Sequence, residues 1–456
     1  MRDLTQGSIS RHLMTLAVPM AAGMLLQTLY FFVDLYFVSK LGDAAIAGVS
    51  AAGNFMFITF FLSQMLGVGT VAMVSHAVGR KDRTAANHVF NQAVLIGALC
   101  ALVTLVGGIA VAGPYMQFFG ADEATRQAGL SFLLWFIPGM ALQFAIVVLG
   151  SGLRGTGIVN PTMVVQAATV ILNIVLAPIL IAGWLTGHPL GVAGAGLATT
   201  LSAAVGVAMM VAYFVRLEHY ISLDRAQWRP VFPTWARMLN IGLPAGGEFA
   251  LMAFYVGIFY WAARDVGTAA QAGIGLGLRT NQMILLPAFA LAFAAAPLAG
   301  QNFGAHDGAR VRETFRVALL YGAIVMAILT LLVQWKSEAL AHIFTSDPAV
   351  VAVAAEFLRY LSWNFLPAAV TMTSSSLFQA MGNTWPALGS SAIRIVIFAL
   401  PAVWMAHQPW FDLRHIFMLS VATVLVHATL CWFWLQAEMR RRLSWSPAEA
   451  PVRQYA

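Results

Sequence analysis

The stretch Met20–Leu41, MAAGMLLQTLYFFVDLYFVSKL, lies in an apolar run from about Leu13 to Val38. A run of that length crosses a bilayer as a helix. One carboxylate stands inside it, Asp34. An ionised Asp at the centre of a membrane helix costs about 2.5–3.5 kcal/mol on insertion scales. A residue kept at such a cost is hidden from lipid, in a wet cavity or beside a partner, and marks a functional position.

The rest of the chain agrees with a membrane setting. Of its 456 residues 60% are hydrophobic and only 9% charged, with mean hydropathy +0.78. Soluble domains carry about 25% charged residues. Twelve apolar spans are read, at about 13–38, 45–75, 87–113, 128–152, 161–182, 191–215, 239–262, 268–298, 315–334, 352–381, 386–406 and 413–436. Lipid cannot satisfy exposed backbone, so each must be a helix. Seventeen of the 25 Lys and Arg residues fall in the segments on the side of the N-terminus, and five in the opposite loops. That bias predicts a multi-pass cell-membrane protein with both termini cytoplasmic, which in a Gram-negative source would mean the inner membrane. The net charge of +7 belongs to this topology and does not point to nucleic acid. Cys100 and Cys431 lie in apolar runs and read as packing residues. The N-terminus has no small-residue cleavage pattern of a removed signal.

The chain also repeats. At an offset of 225 residues Pro19 falls on Pro244, Gly42 on Gly267, Ala47-Gly48 on Ala272-Gly273, Gly79 on Gly304, Asp82 on Asp307, Gly157 on Gly382 and Pro161 on Pro386. Punctuating Gly, Pro and Asp do not align by chance at one offset. Six spans per repeat is an even number, so the repeats are parallel, related by an axis along the membrane normal. The fold expected is an all-α integral membrane protein, twelve transmembrane helices in two parallel six-helix repeats forming two lobes. The expected division is an N-terminal lobe at 1–215, a cytoplasmic linker at 216–238, a C-terminal lobe at 239–440 and a cytoplasmic tail at 441–456. Repeat-built lobes suggest alternating access, with substrate held near mid-membrane. A duplicated channel or scaffold is the plainer alternative.

These residues resemble the multidrug and toxic compound extrusion (MATE) family. The resemblance rests on Val33-Asp34-Leu35-Tyr36-Phe37-Val38-Ser39-Lys40-Leu41-Gly42, on the loop His76 to Arg83 and its counterpart Gly300-Gln301-Asn302-Phe303-Gly304-Ala305, and on Leu153-Arg154-Gly155-Thr156-Gly157. Gly191-Val192-Ala193-Gly194-Ala195 and Gln379-Ala380-Met381-Gly382-Asn383 complete it. The family implies cation-coupled export of amphipathic, often cationic compounds. It also implies that Asp34 is the ion-coupling carboxylate, with Asn173 and Thr199 in support. Counting along the helices puts Asp34 about 9 Å below the outer interface, Thr199 about 12 Å below it, and Asn173 about 18 Å above the inner side. All three then share the outer half of the N-terminal lobe. Some members carry a second Asp one turn after the Asn, where this chain has Ala177. One carboxylate suffices for a proton, so H+ is the expected coupling ion and Na+ at Asp34 the alternative.

Glu248, in the seventh span, is a second acid at membrane depth, with Gly23 as its repeat mate. Arg279 and Arg394 lie at similar depths, and a buried charge calls for a partner, so Glu248 is expected to pair with one of them. A cation-substrate or second proton site at Glu248 is the other reading. Gln282, with Asn281 and Met283, is a candidate for the C-terminal cavity. Thr373 to Ser376 line a polar path or pack small residues against a neighbour. His427 reads as a packed, hydrogen-bonded histidine. The histidine and cysteine spacings of a metal site are absent, as is a phosphate-cradling GxxxxGK[ST] loop, so neither a bound metal, a cofactor nor ATP drive is expected. The chain is expected to be a secondary antiporter and not an enzyme, a monomer in the lipid bilayer acting on small amphipathic molecules. A lipid-linked oligosaccharide flippase of the same superfamily is the alternative. It would need a strongly cationic cavity, for which only Arg279 and Arg394 are available.

Overall fold

The computed structural model describes residues 1–445 apart from Asn54, Ala121, Thr186 and Asp265, and excludes the side chains of residues 30–35 and 43. Among the described residues the chain is helical, without strands. The first half contains α1 (Ile9–Ser39), α2 (Asp43–Gly53), α3 (Met56–Gly79), α4 (Arg83–Phe119), α5 (Glu123–Gly155), α6 (Asn160–Ile181) and α7 (Val192–Arg216). The second contains α8 (Phe232–Ala263), α9 (Thr268–Ile284), α10 (Leu286–Gly304), α11 (Gly308–His342), α12 (Pro348–Leu361), α13 (Phe365–Ala380), α14 (Trp385–Ala406) and α15 (Leu413–Arg442). Twelve spans among them are long and apolar enough to cross a membrane, with α2–α3 and α12–α13 each forming one. The expected eighth span, 268–298, is instead broken at Leu285 into α9 and α10. Pro287 in the first turn of α10 has no N–H to give to the turn before it.

The repeat is written into the backbone. Helix α6 runs from Asn160 to Ile181 and α14 from Trp385 to Ala406, both ends displaced by 225. The non-glycine residues Lys81 and His306 are mates, and both have φ of 58°. Each precedes a helix whose N-cap aspartate binds the same backbone position: Asp82 accepts from the Ala85 N–H at 2.9 Å and Asp307 from the Arg310 N–H at 3.0 Å. Two helix starts thus use one capping device.

Contacts divide the chain into two compact units, one of Met1–Asp3 with Ala22–Gly242, the other of Leu4–Ala21 with Leu243–Ala456. In this partition the chain passes from one unit to the other after Gly242. The linker groups with the first unit because α4 holds its backbone. Asn91 Nδ2 donates to the Ser222 carbonyl, and Gln92 Nε2 donates to the Gln227 and Arg229 carbonyls, each at 2.9 Å. The polar stretch is also shorter than expected, since α8 begins at Phe232. The segment from Leu4 groups with the second unit. The buried Leu4 N–H donates to Gln301 Oε1 at 3.0 Å, and Asn302 Nδ2 donates to the Leu4 carbonyl at 3.2 Å.

Within the first unit α5 is central, packed against α2, α3, α4 and α7. Close approach depends on missing side chains: a Cβ at Gly242, the last residue of that unit, would overlap the Met65 carbonyl of α3. In the second unit the core is aromatic, with Phe259, Phe357, Phe365, Phe398 and Phe417 fully buried.

Candidate functional site

In the first unit Pro161 sits in the first turn of α6, where its fixed φ suits a helix start and its missing N–H costs nothing. Three turns on, the helix buries Asn173 completely. Its Nδ2 lies 3.5 Å from Thr199 Oγ1 on α7, and Thr199 also donates to the Ala195 carbonyl at 3.2 Å. Asn173 Oδ1 has no hydrogen-bond partner among the described residues. A buried acceptor left open costs about 1–3 kcal/mol, so it is suited to a donor or cation that comes and goes. Ala177, one turn on, is fully buried and contributes no oxygen ligand. Asp34 lies on α1, but its side chain is outside the described residues.

The repeat mates of these positions are fully visible. Phe259, mate of Asp34, and Phe398, mate of Asn173, are both fully buried, with ring centroids 5.5 Å apart. The mate of Thr199 is the buried Val424. The second unit therefore fills with hydrocarbon the place where the first has polar groups.

The second unit has its own polar cluster elsewhere. Ser375 Oγ on α13 donates to Glu248 Oε2 at 2.7 Å, and Ser391 Oγ on α14 donates to Oε1 at 3.4 Å. Ser391 and Ser390 lie 3.4 and 3.2 Å from His427 Nε2 on α15, and Ser390 also meets the Cys431 thiol at 3.2 Å. The expected ion pair with Arg279 or Arg394 is not formed: among the described residues no arginine stands within ion-pair reach of Glu248. The reason is helix register. Glu248 and Tyr255 lie two turns apart on α8, while Ser391 and Arg394 lie about one turn apart on α14. Ser391 consequently reaches the carboxylate and Arg394 reaches the ring, its guanidinium 4.2 Å from the Tyr255 centroid. Arg279 and Gln282 are exposed on α9 and are not brought to Glu248. Of the Thr373–Ser376 group, Ser375 supplies the polar contact, while Ser376 turns back to the Thr373 carbonyl. Ser391 was missed from sequence; the Ser390-Ser391 pair inside an apolar helix was its one signal. His427 is packed and hydrogen-bonded, as read. No group of His, Cys, Asp or Glu fit to hold a metal is found among the described residues.

The MatE family model matches residues 19–179 and again 244–405, one match per repeat. The multidrug export protein MepA of Staphylococcus saprophyticus is 26% identical over 379 residues, 83% of each chain. An FAD transporter of Shewanella oneidensis is 22% identical over 401 residues, 87% of this chain and 88% of that one. Among solved structures, a MATE protein in complex with MaL6 is similar with a TM-score of 0.90 at 21% identity, over 96% of this chain and 98% of that chain. An outward-facing multidrug resistance MATE transporter of the MOP superfamily gives 0.89 at 22% identity, over 97% and 98%. With twelve membrane-length spans in two matched repeats, the chain belongs to the MATE family of membrane transporters.

Proposed function

We propose that the protein is a secondary antiporter that exports amphipathic, often cationic compounds by alternating access while H+ moves inward through Asp34. The contact between Phe259 and Phe398 carries this reading. These are the mates of Asp34 and Asn173, so the repeat argues for the acid and the amide as neighbours in the first unit. A protonated carboxyl there has a donor to offer the open Asn173 Oδ1, and the ionised form has the Asn173 amide N–H as a partner. Loading and release of one proton then changes the hydrogen bonding between α1 and α6. Sodium is the weaker reading, because Ala177 removes the carboxylate that would complete an oxygen shell. The export of drugs by MepA relatives supports the cargo class. A charge crossing the whole membrane gains about 2.3 kcal/mol per 100 mV. The arginine bias supports a cell-membrane protein with cytoplasmic termini, and the proposed working form is a monomer.

The test is efflux of a fluorescent cation from liposomes holding the purified chain, with a proton gradient or a Na+ gradient imposed alone. Export is expected with the proton gradient and not with Na+. Equal export by Asp34→Asn would overturn the assignment.

A further inference from the structure

Where α11 begins and α15 ends, the second unit holds a cavity of about 340 Å³ lined by Arg312, Arg316, Arg440, Gln436, Phe315 and Trp432. The three arginines are exposed, and none forms a hydrogen bond or ion pair among the described residues. The neighbouring basic residues differ. Arg441 and Arg442 are both held by the buried Glu438, at 2.9 and 2.5 Å. No acid lines the cavity; Glu438 is engaged, and Glu313 lies outside the lining on α11. The floor is aromatic, with Phe315 buried under Trp432 at a centroid distance of 5.4 Å. Further along both helices the surface is apolar and open, at Leu320 (57% exposed), Ile324 (48%) and Phe433 (65%).

From this juxtaposition we infer that the cavity is a binding site for the phosphodiester headgroup of an anionic phospholipid. Guanidinium groups recognise phosphate oxygens by paired donors, and tryptophan settles at the level of headgroups. Basic pockets between membrane helices at a cytoplasmic face take such lipids. The apolar strip below continues along the path of an acyl chain, which a free anion would not use. The first repeat sharpens the assignment. Arg312 and Arg316 have Asn87 and Asn91 as mates, and those are occupied by the linker: Asn87 Oδ1 accepts from the Ser222 N–H at 2.7 Å and Asn91 Oδ1 from the Asp224 N–H at 2.9 Å. The same face thus serves the chain's own backbone in one repeat and carries unanswered positive charge in the other. The cytoplasmic-termini reading decides only which leaflet supplies the lipid.

The test is titration of the full chain in uncharged detergent with short-chain phosphatidylglycerol, short-chain phosphatidylcholine and inorganic phosphate. Phosphatidylglycerol is expected to bind at least tenfold more tightly than either comparator, and more weakly as salt rises. Combined Arg312→Gln, Arg316→Gln and Arg440→Gln should remove that preference; Arg316→Gln alone should weaken it severalfold. Arg441→Gln, at a residue already held by Glu438, should leave it unchanged. Equal loss in Arg441→Gln would mean a diffuse basic face, and phosphate binding as tightly as phosphatidylglycerol would mean an anion site; either overturns the proposal. Glu449, the one acidic side chain in residues 446–456, supplies the last arm. Glu449→Gln should leave lipid affinity unchanged, and a tenfold gain would assign the arginines to the chain's own tail.

Discussion

The two repeats share helix ends, turn conformations and capping aspartates, yet their interiors have different chemistry. Where the first unit has Asp34, Asn173 and Thr199, the second has Phe259, Phe398 and Val424. Where the second has Glu248, Ser375 and His427, the first has Gly23, Gly150 and Ser202. Polar groups were not exchanged singly. Glu248 comes with hydroxyl donors from neighbouring helices, and in the second unit the places of Asp34 and Asn173 are filled by packed rings. A lone polar side chain at that depth would stay unpaired, whereas an aromatic pair adds about 0.5–1.5 kcal/mol beyond its buried area. One backbone plan therefore supports two different interiors, and the coupling reading needs only the first.

The sharpest break in this comparison is Asp34→Asn, which should reduce proton-driven efflux in liposomes to background with the protein still folded. Phe398→Ala tests the opposite interior: loss of a fully buried ring should cost about 3–5 kcal/mol, read as a fall in melting temperature without a change in ion preference. Ser375→Ala removes a hydrogen bond to a carboxylate and should cost about 1.5–3 kcal/mol of stability. Ser391→Ala, at 3.4 Å, should cost clearly less. Asn173→Ala should slow coupled export about fivefold, the equivalent of about 1 kcal/mol, by removing the open acceptor proposed to meet Asp34; the 3.5 Å contact with Thr199 adds little. Smallest of all, Arg279→Gln should move the melting temperature hardly at all, within about 0.5 kcal/mol, because that side chain is exposed and holds no acid. A large destabilisation there would restore the ion pair with Glu248.

Some of this was legible before any coordinates. Span number follows from hydropathy, which is local. The repeat follows from Gly, Pro and Asp at turns, where a backbone conformation restricts the residue types allowed; Gly157 and Gly382, with φ of 81° and 72°, are one such pair. The neighbourhood of Asn173 and Thr199 was readable from depth along their helices together with the family resemblance. Depth failed for Glu248, because Arg279 and Arg394 stand at similar levels but on faces turned elsewhere. Rotation of one helix against the next depends on packing of side chains far apart in sequence, and no count of residues records it.

The chain's order of apolar runs and turn residues was enough to specify a duplicated bundle of membrane helices, since lipid leaves the backbone no alternative. Which hydroxyls answer Glu248, which unit holds residues 4–21 and the linker, and which arginines stay unanswered beside Trp432 were decided in three dimensions. Those outcomes rest on register between helices and on backbone atoms of distant segments, where a displacement of one residue turns a side chain through about 100°.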